Sequence, residues 1–291
     1  MDGTRRPRIA TADQASGLRQ MARHRSQRAE TIAIVSGKGG VGKSNIAVNL
    51  SVCLADRGER VTLVDLDMGL ANSDLLMNIH PRYTLAHLIE GSRTLEEIEI
   101  TGPNGMAFIP GGSGTGGLAN LTEFERRNLI LQLDRLARST DILVFDCGAG
   151  ISRNVVNFAQ AADTAIVVTT PEPTALTDAY AMVKLIHCRH GRARVRLVVN
   201  MVENRAEAEA TYQRIASVAQ KFLNYSVANG GFMLHDTTVE LAVRERCPFV
   251  IRYPGSNASA CIAAMARTMA RNETGRTTRG GLFKRVAGLF V

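Results

Sequence analysis

Residues 37–44 read Gly37-Lys38-Gly39-Gly40-Val41-Gly42-Lys43-Ser44, between an apolar run, "TIAIVS" (31–36), and a helical pattern, "NIAVNLSVCLADRG" (45–58). The stretch fits G-x-x-x-x-G-K-[ST] in a strand–loop–helix setting. Without side chains in the way, loop N–H groups can surround phosphate oxygens, and the following helix N-terminus adds partial positive charge. Gly37, Gly39, Gly40, Val41, Gly42, Lys43, Ser44 and Asn45 are therefore expected to hold a nucleoside phosphate. Lys43 would reach the β and γ phosphates, and the Ser44 hydroxyl would hold Mg2+.

Outward from the loop the same alternation continues. "RVTLVD" (60–65), "MAFIPG" (106–111), "DILVFD" (141–146), "DTAIVVTT" (163–170) and "VRLVVN" (195–200) are apolar strand candidates. Helical patterns such as "LTEFERRNLILQLDRLA" and "TALTDAYAMVKLIHC" fall between them. Val/Ile/Leu runs without polar alternation suit strands buried on both faces, and the order predicts right-handed crossovers. The expected fold is α/β: one P-loop NTPase domain with a doubly wound, mostly parallel sheet. Such a site needs carboxylates at neighbouring strand ends to support a metal and position water. Asp65 and Asp67 end one strand and Asp146 ends another. Asn200 ends a third, where an amide can read a base or make a turn, and Asn200-Met201-Val202-Glu203 is not the N-K-x-D guanine clamp. That favours adenine, hence ATP with Mg2+.

The net charge is +8, but residues 1–30 and residues 271–291 each carry +4, leaving 31–270 neutral. Partners with acidic surfaces are therefore expected at the tails. No apolar run reaches the length of a membrane span and no signal-peptide core follows Met1, so a cytoplasmic location is expected. The five cysteines are scattered without a C-x-x-C pair, as in reduced thiols. "GGSGTGG" (111–117) has no lysine to complete a second phosphate loop and reads as a surface loop. His187-Cys188-Arg189-His190 lacks a fourth metal ligand and reads as a helix terminus.

With Lys38 as its second lysine, "KGGVGKS" resembles the deviant Walker A signature of MinD/ParA-type ATPases, as do "DLDMGLANSDLLMNI" and "DCGAGIS". The resemblance covers about residues 30–270. It implies a homodimer enclosing two ATP molecules, with Lys38 reaching the other subunit's nucleotide. It also implies that Lys43 stabilises transferred charge, Ser44 binds Mg2+, Asp65 and Asp146 support the metal, and Asp67 orients water. Asn200 corresponds to the adenine-reading amide, and Asp236 falls in the later base-pocket segment "FMLHDTTVELAVRERCPFV", where Leu234 stands in place of a common proline. No strong general base is evident, so slow hydrolysis by positioning is expected.

Within that family, "TTPEPTALTDAYAMVK" and "NMVENRAEA" look most like the MinD-like regulators of flagellar number and placement, the FlhG/FleN group. In that group an N-terminal D-Q-A-x-x-L-R element engages FlhF, a GTPase of the signal-recognition-particle (SRP) type. Asp13, Gln14, Ala15, Leu18 and Arg19 match it, and Gln14, whose amide can orient water, is expected to enter the GTPase site. The remaining tail, after a linker at 271–281, places Leu282, Phe283, Val286, Leu289 and Phe290 on one helical face, with Lys284 and Arg285 off it. Such a helix suits weak, reversible binding to an anionic inner-membrane surface, made firmer by avidity in a dimer. Residues 1–30, 31–270, 271–281 and 282–291 are thus expected to be leader, ATPase domain, linker and membrane helix.

Flagellar switch-ring proteins or a flagellar transcription activator are further candidate partners, and no specific nucleic acid is expected. A division-site regulator of MinD type and a ParA-like DNA-segregation ATPase are the alternatives.

Overall fold

The apolar run before the glycine loop forms β1, Glu30–Ser36, in a computed structural model that describes residues 29–67, 72–112, 122–188 and 193–270. Ile32 and Ile34 enter one core layer and Ala33 and Val35 the other, so neither face of the strand needs polar residues. β1 lies between β5 (Ile142–Ala149) and β6 (Thr164–Thr169), parallel to both. Beyond β5 come β2 (Val61–Asp65), β4 (Ala107–Ile109) and the short β3 (Ile100–Thr101). Beyond β6 come β7 (Arg194–Val202) and β8 (Ala228–Leu234). The eight-stranded order is β3-β4-β2-β5-β1-β6-β7-β8, and among the described residues only β3 pairs antiparallel.

Helices cover both faces. One layer is built on α1 (Lys43–Asp56), α2 (Ser73–Leu76), α9 (Thr237–Arg244), α10 (Phe249–Arg252) and α11 (Asn257–Ala270), around Leu50, Leu63, Phe108 and Phe249. The other is built on α3 (Leu85–Ile89), α4 (Leu95–Ile98), α5 (Glu123–Ser139), α6 (Arg153–Ala161), α7 (Pro173–Cys188) and α8 (Arg205–Leu223), around Leu133, Phe145 and Phe158. Helix starts follow local chemistry. Thr94 and Thr122 form capping boxes with Glu97 and Glu125, and Asn204 accepts from the Glu207 N–H.

This is the expected doubly wound, mostly parallel α/β fold, with two strands not anticipated from the sequence. β8 contains Asn229-Gly230-Gly231, a turn signature by composition. A Cβ on Gly230 would lie 2.9 Å from the Leu197 carbonyl oxygen, so glycine is what lets β8 close against β7. β3, at two residues, is too short to leave a periodic trace.

Candidate functional site

The loop after β1 leaves the sheet under restraint. Ser36 Oγ donates to the Lys38 carbonyl (2.9 Å), and the Gly150 N–H donates to the Ser36 carbonyl (2.9 Å). Gly40 (φ 79°) and Gly42 (φ 84°) occupy the left-handed region that disfavours side chains. A Cβ at Gly42 would lie 2.2 Å from Asn200 Nδ2, and one at Gly37 would lie 2.5 Å from the Asp178 carbonyl oxygen of α7. By contrast a Cβ at Gly40 would meet nothing within 4 Å. The loop is therefore packed against protein behind and open in front. α1 starts directly from Gly42 with no side-chain cap and no acidic residue in its first turn, so its end is left for an anion. This cradle fits a polyphosphate.

Beneath it lie the carboxylates. Asp65 and Asp146 are register partners at the ends of β2 and β5, and both are buried. Lys43 Nζ donates to Asp146 Oδ1 at 2.7 Å and approaches Ser44 Oγ at 3.3 Å. Burial favours the neutral amine of Lys43, but the charge and hydrogen bond of Asp146, with Asp65 further off, hold its pKa above the ordinary lysine value. Asp65 is pushed up to about 8, first by burial and then by the neighbouring Asp146. Its Oδ1 accepts from the Asp67 N–H at 2.9 Å, and its Oδ2 from the Ser73 N–H at 3.4 Å. Ser73 Oγ donates to Asp146 Oδ2 at 2.9 Å. Asp67 is set over Gly148, where a Cβ would lie 3.6 Å from its carboxylate. Lys43, Ser44, Asp65, Asp67 and Asp146 thus converge under one loop, with a hydroxyl and acids suited to a hydrated divalent cation.

Lys38 points elsewhere. Its Nζ meets Glu172 Oε2 at 2.6 Å and Thr174 Oγ1 at 3.1 Å, at the start of α7 in the same chain. A cation beside a helix N-terminus is disfavoured by the helix dipole, and Glu172 supplies the compensating charge. Neither Glu172 nor Thr174 was singled out from sequence, because only the fold brings "PEPT" against the loop.

A second pocket flanks the loop, lined by Asn45, Ile46, Asn200, Met201, Leu234, His235 and Phe249 among others. Asn200 Nδ2 donates to the Val41 carbonyl (2.8 Å) and its Oδ1 accepts from the Met201 N–H (2.9 Å), so here the amide holds the glycine loop in place. Met201 sits at φ 57°, unusual for a residue with a side chain. Asp236 contributes to the pocket wall, but its carboxylate is committed to helix ends. Oδ1 accepts from the Thr238 N–H and Oγ1, and Oδ2 from the Ala258 N–H at the start of α11. Burial alone would raise its pKa, and these hydrogen bonds hold it below the usual carboxylate value. Its place beside this pocket accords with the resemblance, but its capping of two helices was not legible in sequence.

Of the tail elements, Asp13, Gln14, Ala15, Leu18 and Arg19, and Leu282, Phe283, Lys284, Arg285, Val286, Leu289 and Phe290, lie outside the described residues, as do residues 113–117 of the glycine-rich stretch. Cys188 ends α7 as expected, and the His187 ring stacks on Tyr225 at 4.4 Å. No helix among the described residues is long and apolar enough to cross a membrane.

Comparison with known proteins places the chain in a nucleotide-binding family. The CobQ/CobB/MinD/ParA nucleotide binding domain family matches residues 32–249. The chain is 38% identical over 238 residues to the antiactivator FleN of Pseudomonas aeruginosa, covering 82% of this chain and 85% of that protein. It is 39% identical over 189 residues to the flagellum site-determining protein YlxH of Helicobacter pylori, covering 65% and 64%. Among solved structures, the cell division ATPase MinD of Pyrococcus furiosus superposes with a TM-score of 0.70 at 25% identity, covering 84% of this chain and 99% of that one. The septum site-determining protein MinD of Pyrococcus horikoshii, solved with Mg-ADP, matches with a TM-score of 0.70 at 24% identity, covering 86% and 100%.

Proposed function

The chain belongs to the CobQ/CobB/MinD/ParA nucleotide-binding family, as a MinD-like ATPase of the FlhG/FleN group, and on that premise we propose that it is an ATP-dependent dimer and membrane switch regulating flagellar number and placement. One observation carries the enzymatic part: Lys43, Ser44, Asp65, Asp67 and Asp146 assembled beneath an open glycine cradle. The flagellar part rests on the likeness to the antiactivator FleN over most of both chains.

Mg2+ bound with ATP supplies positive charge against the outer phosphates. The chain's own residues do the rest. Loop N–H groups and the α1 N-terminus orient the phosphates. Lys43, held protonated by Asp146, meets the charge that develops on the transferred phosphoryl group. Ser44 would hold the metal directly, and Asp65 and Asp146 would support it from the strand ends beneath. Asp67 orients the attacking water. The base enters the pocket beside Asn200, whose amide ties base site and loop together. Lys38 exchanges its bond to Glu172 for the nucleotide of a second subunit, which makes hydrolysis depend on dimerisation.

The tails couple this switch to its surroundings. The leader, through Asp13, Gln14, Ala15, Leu18 and Arg19, stimulates an FlhF-type GTPase of the SRP class, with Gln14 orienting water there. The C-terminal apolar and basic residues Leu282, Phe283, Lys284, Arg285, Val286, Leu289 and Phe290 hold the ATP dimer on the inner membrane and release it after hydrolysis. Between activations the protein is cytoplasmic. The test is Asp67→Ala in the full chain with ATP and Mg2+, assayed by light scattering and by co-sedimentation with anionic liposomes. A persistent, membrane-bound dimer is expected, and a monomer that ignores liposomes would overturn the switch. Gln14→Ala should keep ATP binding and lose GTPase stimulation; undiminished stimulation removes the leader's role.

A further inference from the structure

We propose that Ser73 is a positioning residue for the Mg2+ site, tying the first turn of α2 to both strand-end carboxylates. The proposal rests on the ATPase reading and adds a residue that the P-loop motif does not contain.

The four oxygens of Asp65 and Asp146 each have a defined donor. Lys43 Nζ takes Asp146 Oδ1 and the Asp67 N–H takes Asp65 Oδ1. Ser73 supplies both others, its hydroxyl to Asp146 Oδ2 at 2.9 Å and its N–H to Asp65 Oδ2 at 3.4 Å. One residue thus spans two carboxylates that would otherwise repel each other as register neighbours. Ser73 is itself fully buried, where an unbonded hydroxyl would be costly, so its side chain is fixed by Asp146.

The consequence concerns the metal. Carboxylates that accept from a hydrated cation must hold one orientation, and partners outside the ligand sphere set it. Without the Ser73 hydroxyl, Asp146 keeps Lys43 on one oxygen and loses its bond on the other. It is then free to rotate toward the lysine and away from the cation. Ser73 also opens α2, whose Leu75 is exposed at the surface.

The experiment titrates Mg2+ against N-methylanthraniloyl-ATP fluorescence in the full chain, with a parallel series in EDTA, and needs no turnover. Ser73→Ala should raise the half-maximal Mg2+ concentration about tenfold or more, the usual cost of losing such a partner. Metal-free nucleotide affinity should change less than about twofold, since the cradle N–H groups do not involve Ser73. An unchanged Mg2+ midpoint, or equal weakening with and without Mg2+, overturns the proposal. If Ser73→Ala does not fold, Ser73→Thr and Ser73→Val serve instead, because they match in shape and differ in the hydroxyl. Thr should keep the native midpoint and Val should lose it; equal midpoints overturn the proposal. Native protein that binds the nucleotide without any Mg2+ dependence would instead sink the ATPase reading itself.

Discussion

Lys43 and Lys38 stand on one loop and end in opposite surroundings. Lys43 is 7% exposed against an Asp146 that is 1% exposed, whereas Lys38 is 39% exposed against a Glu172 that is 61% exposed. The distances are alike, 2.7 and 2.6 Å, so geometry alone does not separate the two pairs. Burial does. A buried pair cannot lose one member without stranding the other's charge, whereas an exposed pair has water as a ready substitute. The pair at the floor of the loop is thus costly to break, and the pair at its rim is cheap to break.

Breaking the floor should have the largest effect. Lys43→Ala leaves buried Asp146 without its cation and should cost about 3–5 kcal/mol of unfolding free energy. ATP hydrolysis should fall at least about 100-fold; denaturant melts and phosphate release check both. Breaking the rim should dissociate the two readouts. Lys38→Ala should change stability by less than about 1 kcal/mol, yet reduce hydrolysis at least about tenfold, with nucleotide binding to the monomer retained. A Lys38→Ala protein that hydrolyses normally would mean that the rim has no catalytic partner to find.

Asp236 sharpens the comparison, since it is a partly buried group that works through hydrogen bonds to helix ends. Asp236→Ala should cost about 1 kcal/mol at neutral pH, the usual value of a helix cap. Because its folded pKa is lowered, that stability is present above the ordinary value of 3.8 and is lost as the pH falls through the folded value. Urea melts of native and variant protein should therefore differ at pH 7 and converge in strong acid. The smallest effect belongs to Glu172→Gln, within about 1 kcal/mol in stability and with hydrolysis preserved, since it only frees Lys38. ATP-dependent dimerisation, read by light scattering, should be unchanged or favoured.

The parts legible in sequence were those whose signal is local. The loop at 37–44 needs its glycines where φ is positive or the backbone is crowded, and the buried strands need uninterrupted apolar runs, so both leave a trace within a few residues. Asp65 and Asp146 were found because each ends such a run, and their register pairing follows from the strand order. What stayed hidden depends on distant pieces meeting. Ser73 faces Asp146 across 73 positions of sequence, and Glu172 meets Lys38 across 134. Asn200 looked like a base reader, and its bond to Val41 spans 159 positions that no short motif records. β8 was missed for another reason: Gly230 and Gly231 are there for close packing and imitate a turn.

The contact at Gly37 bears on timing. With the Asp178 carbonyl 2.5 Å from where a Cβ would be, the loop and α7 lie backbone against backbone with no room for a side chain between them. That packing sets the bases of Lys38, Glu172 and Thr174 close enough for their side chains to meet. Releasing the lysine requires only rotation about its own side-chain bonds, which at a solvent-exposed position takes picoseconds to nanoseconds. In the proposed dimer, the slow step would then lie in bringing two chains together, which would make the protein's own concentration the clock.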